Sequence, residues 1–110
     1  MNIKKERIGD FAVLKIKGRI DTINSSALEA EVNQLFYMGE KNLIFNCSEV
    51  DYISSSGLRV FLVAQKKAIA INGKLYLSNM QPAIQEIFRI SGFSNLFRIF
   101  DTQEEVLQNQ

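Results

Sequence analysis

The second half of Phe11-Ala-Val-Leu-Lys-Ile-Lys17 alternates apolar Leu14 and Ile16 with Lys15 and Lys17. A period of two marks a half-buried strand. Gly9-Asp10 just before it fits a tight turn, so residues 3–8 are predicted to pair with that strand in a hairpin. The period then lengthens. Leu28, Val32, Leu35 and Phe36 recur on one helical face, with Glu29, Glu31, Asn33 and Gln34 on the wet side and Gly39 as the stop. Asn24, Ser25 and Ser26 all suit the start of that helix, and Ser26 with Glu29 fits a capping box. Lys41 to Cys47 has a continuous apolar centre, as in a strand buried on both faces of a parallel sheet.

A long, mostly apolar segment from Leu58 to Ile71 predicts a helix from Ser56 or Gly57 to about Asn72, with Asn72-Gly73 as its stop. Leu58, Phe61, Leu62 and Ile69 form the stripe expected to face a sheet. Lys74 to Ser78 reads as a short strand. Pro82 fits the first turn of a helix carrying Ile84, Ile87 and Phe88, which Gly92 ends. Leu96 to Phe100 reads as a last strand, after which Asp101 or Thr102 caps a short helix carrying Val106 and Leu107. Strands alternating with helices predict an α/β fold, one domain over residues 1–110. Its mixed sheet has about five strands, beginning with the hairpin and largely parallel afterwards, with about four helices.

Composition narrows the function classes. The formal net charge is +1 and no block of like charges occurs, so nothing points to nucleic acid or an anionic membrane surface. The N-terminus has no apolar signal segment, and Arg59 and Gln65-Lys66-Lys67 interrupt the most apolar stretch, which is shorter than a membrane span. A cytoplasmic protein is expected. Cys47 is the only cysteine, which excludes an intramolecular disulfide or a zinc cluster and reads as a buried, inert thiol. The chain contains no histidine. That excludes a Ser-His-Asp triad, a Cys-His pair and a phosphohistidine carrier. No glycine-rich phosphate loop is present either, and no cofactor or metal is expected.

The chemistry that remains gathers at Asp51-Tyr-Ile-Ser-Ser-Ser-Gly-Leu58, where a buried strand hands over to a helix. Carboxyl ends of strands in open α/β sheets are where sites tend to lie, and a helix start receives negative charge well. Ser54, Ser55 and Ser56 fit turn and cap residues, with Gly57 giving backbone freedom; they also fit a phosphorylatable site. The second reading needs an exposed hydroxyl, a glycine that leaves room for a visiting active site, and a helix end. Ser56 meets these conditions best. Ser56, Arg59, Val60, Val63 and Lys67 share one stripe, which is either packed against another helix or a docking surface beside the serine. Asp21 and Asp51 are the nearest acids, and a lone acid at a strand exit is usually a solvated cap. A receiver domain with Asp51 as acceptor fails, because Lys15-Ile-Lys-Gly18 stands where a metal-binding acid pair would be.

Val50-Asp-Tyr-Ile-Ser-Ser-Ser-Gly-Leu58 resembles the Asp-Ser-Ser-Gly-Leu signature of STAS domains, specifically of free-standing bacterial anti-sigma factor antagonists. Gly18-Arg-Ile-Asp21 resembles the family's Gly-x-(Leu/Ile)-Asp, and Asn79 through Pro82 to Ser91-Gly-Phe93 resembles its segment before the last strand. The resemblance implies a non-enzymatic antagonist that binds an anti-sigma factor, itself a serine kinase of the histidine-kinase-like ATPase fold, and so frees a sigma factor. It implies phosphorylation at Ser56, with Ser55 and Ser54 as alternatives, and reversal by a PP2C-type phosphatase. Asp21, Ser55, Gly57, Arg59, Val60 and Val63 would belong to the partner-binding surface. Ser54 and Asn46 stand where that family usually has aspartates, so this chain has less negative charge near the acceptor. A phosphorylation-independent STAS scaffold in a sensory or transport assembly is the other reading.

Overall fold

In the computed structural model, which describes residues 1–110, the chain opens with a hairpin of β1 (Asn2–Ile8) and β2 (Phe11–Ile20). Its two-residue turn places Gly9 at φ +58°, with Ile8 opposite Phe11. Helix α1 (Ser25–Tyr37) then leads to β3 (Asn42–Ile53), α2 (Ser55–Ala70) and β4 (Lys74–Ser78). Helix α3 (Pro82–Ile90), a 3-10 turn at Phe93–Asn95, β5 (Arg98–Phe100) and α4 (Gln103–Gln108) complete it. The sheet order is β1-β2-β3-β4-β5, antiparallel at β1–β2 and parallel at the other three pairings. The expected α/β architecture is the one the chain adopts.

Apolar side chains on the two sheet faces form two cores. The larger joins Leu14, Ile16 and Phe45 of the sheet to Leu28 and Val32 of α1, Phe61 and Ala64 of α2, and Ile84 and Phe88 of α3. The smaller lies on the other face, where Val106 of α4 meets Phe11, Val13 and Ile44. Helices α1, α2 and α3 therefore cover one face and α4 part of the other. No helix is long and apolar enough to cross a membrane.

Three boundaries and one helix face differ from the sequence expectation. Strand β3 runs on to Ile53 because β2 continues to pair with it, and the pairing shifts twice: Lys15–Lys17 spans Asn46–Glu49, and Gly18–Arg19 spans Val50–Tyr52. Each shift leaves one extra residue on β3, a bulge that breaks the local alternation. Helix α1 starts at Ser25 without a capping box at Ser26: Asn24 is its N-cap and makes no side-chain cap bond. The last strand is only Arg98–Phe100, since Phe93–Asn95 is helical and Leu96 is exposed. Ile69 is 61 % exposed instead of facing the sheet; Ala64 and Ala68 carry the buried stripe of α2. They keep the 3.6-residue phase from Gly57 and Phe61, which position 69 leaves.

Candidate functional site

The candidate site is the junction where β3 ends and α2 begins. The backbone N–H of Ser54 donates to the carbonyl of Ile20 at 2.8 Å, so the end of β2 fixes the start of α2. Ser54 is the N-cap: its hydroxyl oxygen accepts from the N–H of Gly57 at 3.2 Å, and the side chain is 9 % exposed. Ser54 is therefore structural. Ser55 and Ser56 occupy the first two helical positions, and the exposed hydroxyl expected of Ser56 belongs instead to Ser55, with Ser56 half-buried. N–H groups in a first turn have no helical partner and favour negative charge beside them. Ser54→Ala is expected to cost about 1 kcal/mol, the usual value of a lost cap. The check is a urea melt, in which a change below about 0.3 kcal/mol would refute the capping role.

Gly57 has a role other than leaving room for a visitor. A Cβ there would lie 2.8 Å from Ile20 Cγ2 and 2.8 Å from Ile53 Cγ1, so the bare backbone lets α2 lie against the ends of β2 and β3. It is buried. Val60 is also buried, at 2 % exposure, and Val63 is half-buried. Arg59 Nη2 lies 3.7 Å from Glu29 Oε1, and Lys67 Nζ donates to Asn33 Oδ1 at 2.7 Å. Both partners belong to α1, so the stripe from Arg59 to Lys67 runs along the seam between the two helices. Of the two readings of this stripe, packing against another helix holds for Val60, which is not on an outer face, and that helix is α1.

Asp21 lies on the loop beside this junction. Its Oδ1 accepts from the N–H groups of Ile23 and Asn24, both at 3.0 Å, and its Oδ2 is 3.9 Å from Arg19 Nε. Asn24 closes the loop from the other side: its Oδ1 accepts from the Asp21 N–H at 2.9 Å and its Nδ2 donates to the Arg19 carbonyl at 2.8 Å. This rigid turn presents Ile23, 89 % exposed. Arg19, opposite Tyr52 in the β2–β3 register, stacks its guanidinium 4.3 Å from the ring centroid. Sequence reasoning missed Arg19, Ile23 and Tyr52. The available signal was Ile23, an apolar residue in a polar loop with no periodic partner.

Asn46 is 9 % exposed; it donates from Nδ2 to Gln103 Oε1 at 2.8 Å and accepts from the Ser48 N–H at 3.0 Å. It ties β3 to α4. Asp51 is exposed on the second bulge. No group of three or more Cys, Asp or Glu side chains is placed to hold a metal ion. A cleft of about 490 Å³, lined by residues such as Met80, Gln85 and Arg89, includes none of the three serines.

The chain matches the STAS domain family over residues 2–106. It is a STAS domain. A protein of Bordetella bronchiseptica named "Putative anti-sigma factor antagonist BtrV" is 32 % identical over 104 residues, covering 94 % of this chain and 90 % of BtrV. The anti-sigma-B factor antagonist of Staphylococcus aureus is 28 % identical over 105 residues, covering 94 % of this chain and 96 % of its own. The Bacillus cell fate determinant SpoIIAA in its phosphorylated form superposes with a TM-score of 0.75 at 21 % identity, covering 98 % of both chains. That likeness carries the fold of this STAS domain.

Cys47 of the STAS domain is fully buried, and burial pushes its thiol up to about 12 from an ordinary value near 9. At neutral pH it is a protonated, inert thiol. Between those values the unfolded chain loses the proton and the folded chain keeps it. The folded state then binds more protons, so stability falls as pH rises through this window. A disulfide reagent at pH 8 is expected to label Cys47 only at the rate of unfolding. Rapid labelling of the native protein would contradict its burial.

Proposed function

We propose that this STAS domain is an anti-sigma factor antagonist, cytoplasmic and without catalysis of its own, that is switched by phosphorylation at Ser56. When unmodified it binds an anti-sigma factor that is also a serine kinase, releasing a sigma factor; a PP2C-type phosphatase reverses the modification. The observation that carries the reading is the division of labour among three adjacent serines. Ser54 caps α2, which leaves Ser55 and Ser56 at the helix start, and the Ser54 N–H bond to the Ile20 carbonyl holds that start at the end of β2, next in sequence to Asp21. Near full-length similarity to proteins named as antagonists supports the partner class. The binding face consists of Asp21, Ile23, Tyr52, Ser55, Ser56 and Arg59, with Val63 at its margin; Gly57 and Val60 act beneath it by setting the position of α2.

Phosphosite mapping by mass spectrometry, on protein from its own cells growing and stressed, tests the switch. Phosphate on Ser56 whose occupancy changes with condition is the expected result. Phosphate on Ser55 alone would move the acceptor by one residue. No phosphate on any of the three serines would favour the phosphorylation-independent scaffold.

A further inference from the structure

One edge of the sheet is β1, seven residues paired only with β2. A two-residue turn closes on a hydrogen-bonded pair, here Ile8 with Phe11. Hydrogen-bonded pairs then recur at Glu6, Lys4 and Asn2, so the backbone groups of Ile3, Lys5 and Arg7 point outward without a partner. Lysines on an edge ordinarily repel a second strand. On this edge the repulsion depends on register.

Consider a second β1 running antiparallel. Only registers that set outward residues against outward residues complete the ladder. One of these, centred on Lys5, aligns the whole of Asn2–Ile8 with its copy. It places Lys4 opposite Glu6 of the second copy and Glu6 opposite Lys4, twice in one two-fold interface. A shift of two residues in pair sum either way sets Lys4 against Lys4 or Glu6 against Glu6. Both side chains are exposed, and neither is ion-paired within its own chain. The central Lys5 meets its own copy, but Lys5 Nζ is held 2.5 Å from Glu31 Oε2 of α1, which neutralises it. Arg7 is likewise paired with Glu40 at 2.7 Å.

We propose that the β1 edge is a self-association surface, pairing two copies through antiparallel β1 strands into one ten-stranded sheet. This lies beyond the switch proposed above and uses none of its residues. One seven-residue edge buries less than a standard interface, so the dimer is weak and concentration-dependent.

Sedimentation velocity on the full chain tests it, with circular dichroism to confirm folding of each variant. The mass should rise from one chain toward two between about 10 µM and 1 mM. Lys4→Glu and Glu6→Lys each set like charges opposite and should stay monomeric. An equimolar mixture of the two restores every opposite-charge pair and should associate as a heterodimer. A wild-type chain that remains monomeric at 1 mM (roughly the upper limit of weak association) overturns the proposal. So does association that Glu6→Lys leaves unchanged, since the contact would then lie elsewhere.

Discussion

Ser56→Asp is expected to weaken binding to the anti-sigma factor by about thirty- to a hundredfold, or about 2–3 kcal/mol, without loosening the fold. The two halves of that result have separate causes. Ser56 stands at the second position of α2, where a carboxylate is favourable by a few tenths to 1 kcal/mol (roughly, at an exposed helix start). The melting temperature should therefore hold or rise slightly. At the binding face, a charge on a half-buried position must be desolvated against a partner that docks on a neutral hydroxyl. Ser56→Ala should bind as the wild type does, and Ser55→Asp should have a smaller effect because Ser55 is the more exposed of the two. Calorimetry against the anti-sigma factor recovered with the unphosphorylated chain would decide it. Equal affinities for Ser56→Asp and wild type would exclude Ser56 as the switch.

Ser54 cannot replace Ser56 in that experiment, and the reason is a long-range one. Locally, three consecutive serines are equally good caps. The choice is made by the Ile20 carbonyl, which takes the Ser54 N–H and holds Ser54 at the strand end. No window of sequence around residue 54 contains Ile20. The same limit explains β3: its bulges after Asn46 and Val50 break the alternation, and only the register with β2 shows that pairing continues. Elements with one clean period, such as α1 and α3, were legible from the chain alone.

The proposed binding face was half legible for a related reason. The serines and Asp21 are read from short motifs, whereas the Arg19–Tyr52 stack joins residues that only parallel pairing brings side by side. On α2 the apolar residues exceed a single face, and valines draw the eye more than alanines. Ala64 and Ala68 nevertheless mark the buried stripe, and Val60 faces the seam with α1 rather than a visitor.

Gly73→Ala should be the most destabilising single-methyl change in the chain, at about 3 kcal/mol or somewhat more. The sequence reads Asn72-Gly73 as the helix stop, and in the structure it is Asn72 that takes the left-handed turn, at φ +63°. The N–H of Gly73 donates to the Ala68 carbonyl at 2.7 Å and that of Asn72 to the Ile69 carbonyl at 3.0 Å, the paired bonds of a Schellman motif. Gly73 is needed for a different reason. A Cβ there would fall 1.9 Å from the Lys41 carbonyl oxygen and 2.6 Å from its carbonyl carbon. Those atoms are backbone at the start of β3, and the same oxygen accepts the Lys74 N–H at 3.0 Å. No rotamer relieves the clash; the starts of β3 and β4 must separate, and with them the Asn42–Lys74 pairing at the centre of the sheet. By contrast, Gly57→Ala meets only side-chain carbons and gains helix propensity, so its net cost should stay near 1 kcal/mol. For a domain of this size, 3 kcal/mol lowers the melting temperature by roughly 12–20 °C. Thermal and urea melts of Gly73→Ala and Gly57→Ala together provide the test. A Gly73→Ala loss no larger than that of Gly57→Ala would mean that the β3–β4 junction yields, and that its close packing is not what glycine at position 73 preserves.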